Sequence, residues 1–239
     1  MKERIQKIIA ARGLMSRRAA EELLREGHIK INGQTARLGD SADASADSIQ
    51  IDGTPLPPPP KSVCLLLHKP RGYITTMSDE RGRKTVASLV DCGCRVYPVG
   101  RLDYQSEGLL LMTNDGALAN RLMHPSNEIE KVYDVTVRGE PDDGDVRLSC
   151  PIELDGRRIR PPLVTLLRAG NGKTTYRITI HEGRNRQIRR MCEAAGLTVL
   201  RLCRVREGTL ELGDLPCGKW RYLTEKELAA LMAEMGEKA

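Results

Sequence analysis

Apolar positions in the first sixty residues change period twice. Ile5, Ile8 and Ile9 recur at helical spacing with Gly13 beyond them as a stop, so the pattern predicts a first helix. Ser16 suits the N-cap of a second helix carrying Ala19, Ala20, Leu23 and Leu24 and ended by Gly27. The period drops to two over His28-Ile29-Lys30-Ile31, and Asn32-Gly33 is a strong hairpin turn. The small, acidic stretch 39–48 has little apolar surface to bury and reads as a loop before a short strand at Ile49-Gln50-Ile51. Pro55-Leu56-Pro57-Pro58-Pro59-Pro60 then reads as an extended, semi-rigid spacer of roughly 3.1 Å per residue. The expected organisation is a small module over 1–52, a linker over 53–61 and a large module over 62–239.

In the large module the pattern predicts strands at Val63–Leu67, Val96–Val99, Leu109–Thr113, Val132–Val137, Thr174–Ile180 and Val199–Leu202. Short helices fall near 116–123 and 186–195. Strands outnumber helices and do not alternate strictly with them, which predicts an α+β fold with a mixed, largely antiparallel sheet. Thr224-Glu225-Lys226-Glu227 is a capping box that opens a last helix running to about Met235.

Charge sharpens this picture. The 239-residue chain has a net charge of +6, from 38 basic and 32 acidic residues. Residues 1–39 hold nine Lys and Arg against four acids. A basic small module points to a polyanionic partner, of which nucleic acid is the commonest. Phenylalanine is absent, so broad single-strand binding on many rings is disfavoured. The charged N-terminus has no apolar signal core, and no apolar run is long enough to span a bilayer. The expectation is a cytoplasmic monomer with reduced thiols and no membrane partner. Cys92-Gly93-Cys94 is the one close cysteine pair, and His68, His124 and His181 are not spaced to complete a metal set, so no metal is expected. Gly172-Lys173-Thr174 lacks the first glycine of a phosphate loop, since Leu167 stands there.

Three positions carry candidate chemistry. Asp103, in Gly100-Arg101-Leu102-Asp103, occupies a short loop between two apolar runs, the second of which is Leu109-Leu110-Leu111-Met112. Tyr133 alternates onto one strand face with Val135 and Val137, offering a ring for stacking and a hydroxyl for hydrogen bonding. Arg189 borders a helical stripe of Ile188, Met191, Cys192 and Ala195, for which Asn185 is the expected cap. A paired guanidinium would hold a carboxylate ionised and oriented in a partly desolvated pocket, which suits work at a sugar C1′ or a pyrimidine ring.

The words Gly-Arg-Leu-Asp (100–103) and Glu-Gly-Leu-Leu-Leu-Met-Thr-Asn-Asp-Gly (107–116) resemble the signature of the ribosomal RNA pseudouridine synthases. Leu14-Met15-Ser16-Arg17-Arg18-Ala19-Ala20 to Gly27-His28-Ile29-Lys30-Ile31-Asn32-Gly33 resembles an S4-type RNA-binding domain. Asp79–Lys84, Leu122–Pro125 and 181–191 are most similar to the enzymes of the large ribosomal subunit, in the branch called synthase B. The resemblance implies that Asp103 is the essential catalytic residue, that Tyr133 contacts the target base with a part in removing the C5 proton, and that Arg189 pairs with Asp103. Lys69-Pro70-Arg71-Gly72 and Arg201-Leu202-Cys203-Arg204 resemble family motifs around the pocket, and Leu202 is the expected base-packing residue. Lys69, Arg101, Arg184, Arg186, Gln187 and Arg190 are expected to bind substrate, and Arg12, Ser16, Arg17, Arg18, Lys30 and Asn32 to bind RNA.

The implied reaction needs no cofactor. It breaks the N1–C1′ bond of a uridine in ribosomal RNA, turns the uracil, rejoins it through C5 and releases the C5 proton. The residues leave open whether Asp103 attacks C1′, adds to C6 or assists a glycal. The uridine must leave its stack to be reached. One rival is a non-catalytic RNA-binding assembly factor on the same fold. Another is a glycoside hydrolase, which normally needs paired carboxylates, with Glu107 the candidate partner.

Overall fold

The computed structural model describes residues 1–141, 143–150, 153–154 and 156–236. They form two compact units. The first comprises Met1–Val63 with Asp91–Val96 and Asn114–Gly116, and the second comprises Cys64–Val90, Tyr97–Thr113 and the chain from Ala117 onward.

In the first unit, helices Ile5–Ala11 and Arg17–Glu26 bury Ile5, Ile8, Ile9, Ala20 and Leu24 against Ile29, Ala36, Ala42 and Ile49. Ser16 caps the second helix by accepting from the Ala19 amide at 3.1 Å, and Gly27 ends it in the left-handed conformation. The four-stranded antiparallel sheet runs Gln34–Thr35, Ile29–Ile31, Ile49–Ile51, Thr54–Pro55. Its outer hairpins turn on Asn32-Gly33 and Asp52-Gly53, with all four residues at positive φ. Two expectations change. Ser41–Ala42, read as loop, pairs with Glu3–Arg4, because Ala42 is small enough to be fully buried there. Thr54–Pro55, within the expected linker, completes the sheet, and Leu56 packs against the core.

The second unit is built on a nine-stranded sheet. The order along its main path is Leu163–Gly170, Lys173–Ile180, Lys131–Arg138, Val199–Glu207, Glu107–Thr113, Cys64–Lys69, Trp220–Tyr222. Tyr97–Val99 pairs with Glu107–Thr113, and Leu210–Glu211 pairs with Val199–Glu207. The ladder between Val199–Glu207 and Glu107–Thr113 is parallel and the others are antiparallel. The unbroken apolar runs at Cys64–Lys69 and Glu107–Thr113 are buried on both faces. One face packs Leu66, Leu109, Leu111 and Cys203 against Leu118, Leu122, Leu231 and Met235 of two helices. The last helix, Glu225–Gly236, has the expected reciprocal cap: Glu227 N–H donates to Thr224 Oγ1 at 3.2 Å and Thr224 N–H to Glu227 Oε2 at 2.9 Å.

Val199–Glu207 extends beyond the expected Val199–Leu202, because it runs on through Arg204, Arg206 and Glu207. Leu163–Gly170 was outside the expected set: its residues are mostly exposed and its sequence does not alternate. Helix Gln187–Ala194 starts after Arg186, which takes a left-handed φ of 50°, so Asn185 is not its cap. Among the described residues no helix is long and apolar enough to cross a membrane.

Candidate active site

The loop Leu102–Ser106 links strands Tyr97–Val99 and Glu107–Thr113. A tight loop leaves its carbonyls without ladder partners, and a buried carbonyl left bare is costly. Here five consecutive carbonyls are each met by a donor from outside the loop. Thr75 Oγ1 donates to Leu102 O at 2.6 Å, and Lys69 Nζ donates to Asp103 O at 3.0 Å. Gly72 N–H donates to Tyr104 O at 2.8 Å, Arg189 Nη2 to Gln105 O at 3.0 Å, and Lys69 Nζ again to Ser106 O at 2.8 Å. The backbone carrying Asp103 is therefore fixed, while no hydrogen bond among the described residues occupies its carboxylate. The charge of Asp103 acts on Lys69, Tyr133 and Arg189, so these groups converge.

Register explains part of that convergence. Lys69 pairs with Gly108, Gly108 with Arg204, and Arg204 with Tyr133. Residues directly opposite share a sheet face, so these four positions form one row across four strands. Leu202 lies opposite Val135 on the same face. Gly108 is required in this row. At φ +109° a Cβ there would sit 2.6 Å from the Arg204 amide nitrogen and nearer still to its carbonyl oxygen.

Tyr133 is only 9% exposed. Burial raises its phenol pKa, and the Arg204 charge and hydrogen bond oppose that shift. Arg204 is itself buried, donates Nε to Leu109 O at 2.8 Å and places Nη2 3.3 Å from Glu207 Oε2. Arg204 hydrogen-bonds Tyr133, a contact that sequence reasoning did not foresee although it placed Arg204 in a pocket motif. Its signal was an arginine two residues beyond Leu202, on the same strand face.

Arg189 is half-buried on helix Gln187–Ala194 beside the buried Ile188, Met191 and Cys192. Burial and the neighbouring Arg186 charge lower its pKa, while Asp103 acts the other way. The expected Asp103–Arg189 ion pair within 4 Å is not formed. Arg189 instead places its guanidinium on the Gln105 carbonyl, one clamp of the loop. Lys69 differs from expectation more sharply. It is fully buried, with its ammonium on the carbonyls of Pro70, Asp103 and Ser106, so its polar head is committed to the loop.

A model of the RNA pseudouridylate synthase family matches residues 63–194, and the S4 domain model matches residues 3–45. The chain is 44% identical over 236 residues to ribosomal large subunit pseudouridine synthase B of Bacillus subtilis, covering 97% of this chain and 96% of the relative. The chain belongs to the RNA pseudouridylate synthase family. An uncharacterized RNA pseudouridine synthase of Aquifex aeolicus is 41% identical, covering 100% of this chain and 97% of the relative. A crystal structure of a pseudouridylate synthase superposes with a TM-score of 0.68 at 28% identity, covering 95% of this chain and 99% of that one.

The other expected residues of this synthase divide by what their polar groups already hold. Arg101 is exposed beside the loop. Arg184 donates Nε to Glu182 Oε2 at 2.8 Å, and buried Gln187 accepts from the Arg184 amide at 3.0 Å, so this pair shapes the turn into the helix. Arg186 is exposed and Arg190 half-buried. In the first unit Arg17, Arg18 and Lys30 are exposed. Ser16 is committed to its cap, Arg12 donates to Pro57 O at 3.0 Å, and Asn32 bonds Asp47 at 2.8 Å.

On the opposite sheet face, His68, Glu107 and Cys203 offer metal-ligand atoms all within 4.8 Å of one another. Glu107 is already neutralised by Arg201, whose Nε lies 2.6 Å away, and burial pushes the Cys203 thiol up to about 11. That chemistry is an ion pair beside a protonated thiol.

Proposed function

We propose that this synthase isomerises specific uridines of ribosomal RNA, in the large subunit, with Asp103 as the essential residue. The observation that carries the reading is the five-carbonyl clamp, which fixes the backbone of Asp103 and leaves its carboxylate for substrate. Preorganised charge of this kind is where catalytic advantage arises, because nothing need reorganise during reaction. The large-subunit assignment is supported by the 44% identity to the Bacillus subtilis large-subunit synthase.

In this reading a uridine flipped from an RNA loop enters beside Asp103. The carboxylate promotes cleavage of the N1–C1′ bond. Leu202 packs against the freed uracil as it turns, and the Tyr133 hydroxyl, oriented by Arg204, takes part in removing the C5 proton. Arg189 and Lys69 hold the loop. Arg17, Arg18 and Lys30 supply phosphate contacts that hold and position the RNA.

The test is to incubate the protein and its Asp103→Asn variant with unmodified large- and small-subunit ribosomal RNA, and with precursor particles, and to map pseudouridine by nucleotide. Modification of large-subunit RNA by the parent and not by the variant is expected. Modification confined to small-subunit RNA would overturn the substrate, and full activity in Asp103→Asn would overturn the mechanism.

A further inference from the structure

The Cys92-Gly93-Cys94 turn takes no part in the chemistry above. Gly93 adopts a φ of +72°, folding the two cysteines toward each other. Their sulfurs lie 3.7 Å apart, and the Cys92 thiol also donates to the Cys94 carbonyl at 3.4 Å. Both residues are partly open to solvent. A disulfide requires about 2.0 Å between sulfurs, so closure asks for less than about 2 Å of movement in a turn that already contains glycine.

The other five cysteines offer nothing comparable. Cys64, Cys192 and Cys203 are buried. Burial pushes the Cys192 thiol up to about 12 and the Cys203 thiol to about 11, and it raises the partly open Cys94 thiol too, so what sets the Cys92–Cys94 pair apart is its geometry and its access to solvent. Cys150 and Cys217 are exposed, whereas Cys92 and Cys94 bring their sulfurs to 3.7 Å.

We infer that Cys92 and Cys94 form a redox-modifiable pair, closed to an intrachain disulfide by a low-molecular-weight disulfide such as oxidised glutathione. One protein thiolate attacks a sulfur of the external disulfide, forming a mixed disulfide and expelling the first glutathione thiolate. The second protein thiolate attacks the protein-side sulfur and expels the second. The two cysteines lose two electrons and two protons, and the external disulfide becomes two thiols. Excess reduced glutathione runs the exchange backward.

The position gives the bond a mechanical consequence. Cys94 Sγ lies 4.0 Å from Asn114 Nδ2, and Asn114 also receives the Val63 amide and donates to Lys61 O. Next to it, Arg95 donates to Met15 O at 3.3 Å, one residue before the Ser16 cap. Closing the pair draws Cys94 toward Cys92 and loads this seat of the Arg17–Glu26 helix.

The experiment equilibrates the full-length protein across ratios of reduced to oxidised glutathione, alkylates the remaining thiols and maps peptides by mass. The Thr85–Arg95 tryptic peptide is expected to lose two hydrogens and accept no alkyl group under oxidising conditions, with full reversal by excess reduced glutathione. In Cys92→Ser, Cys94 should carry one glutathione instead. The inference is overturned if both cysteines stay fully alkylatable at every ratio. It is equally overturned if each takes its own glutathione without an internal bond.

Discussion

Replacing Lys69 with methionine removes the ammonium from the Asp103 loop while keeping the aliphatic volume. Three carbonyls lose their donor. Hydrogen bonds from a charged donor contribute roughly 1.5–3 kcal/mol each, or roughly 5–9 kcal/mol in all. Burial of the ammonium opposes them. It depresses the Lys69 pKa from 10.5 to about 8, an opposing cost of up to about 3 kcal/mol. The variant should therefore lose about 2–6 kcal/mol of stability in urea unfolding. Because the loop loosens, the single-turnover rate should fall by about 10–100-fold, with RNA affinity nearly unchanged. The pH dependence separates the two effects. The folded pKa lies below the unfolded one, so between about 8 and 10.5 the unfolded chain holds more protons at this site. This group's contribution to stability then rises with pH, even as the clamp loses its charge and one donor. Activity of the parent should fall through about pH 8, and Lys69→Met should lack that limb. A variant with an unchanged rate and weakened RNA binding would refute the reasoning, since it would put Lys69 in contact with RNA.

Gly108→Ala should cost about 2–4 kcal/mol, because its Cβ collides with the Arg204 backbone and its φ of +109° disfavours any side chain; a midpoint in urea equal to the parent's would contradict the close strand approach. Arg17→Ala combined with Arg18→Ala should leave the melting temperature nearly unchanged while reducing the slope of log affinity against log salt by about 1–2, measured by filter binding. Glu227, held by Arg221 and the Thr224 cap, has its carboxyl lowered from 4.5 to about 2. Its stabilisation is complete above about pH 4.5 and is lost as pH falls toward 2, so acid unfolding of Glu227→Gln should start from a lower stability and show a shallower slope over that window.

The sequence carries Asp103, Tyr133 and Arg189 openly, because contiguous words and simple alternation mark a loop, a strand face and a helix border. It conceals what those residues lean on. Lys69, in a word that resembles a pocket motif, reads as a substrate-binding residue, and only the gathering of three carbonyls from two chain segments makes its burial tolerable. Arg204 breaks the apolar pattern of its strand, so periodicity ends the strand too early, yet its buried guanidinium donates to Leu109 O on the next strand and lies beside Glu207 of its own strand and Tyr133 of another. The expectation that Arg189 would bind the Asp103 carboxylate came from the family resemblance. The nearer acceptor, a backbone carbonyl at Gln105, has no sequence signature. Leu163–Gly170 lies at the sheet edge with exposed leucines, where the half-buried alternation that reveals strands does not arise.

The row from Lys69 through Gly108 and Arg204 to Tyr133 also limits how this protein can change length. Side chains along a strand alternate between faces, so one residue inserted within Glu107–Thr113 turns every later position over. An insertion between Tyr133 and the start of its strand would exchange Tyr133 for a neighbour whose partner row faces the opposite side, where Glu107, Cys203 and Asp134 stand in register. The connections carry no such parity. Length variation that preserves activity is therefore confined to segments such as the turn at Asn171-Gly172, where an added residue alters reach without reversing a face.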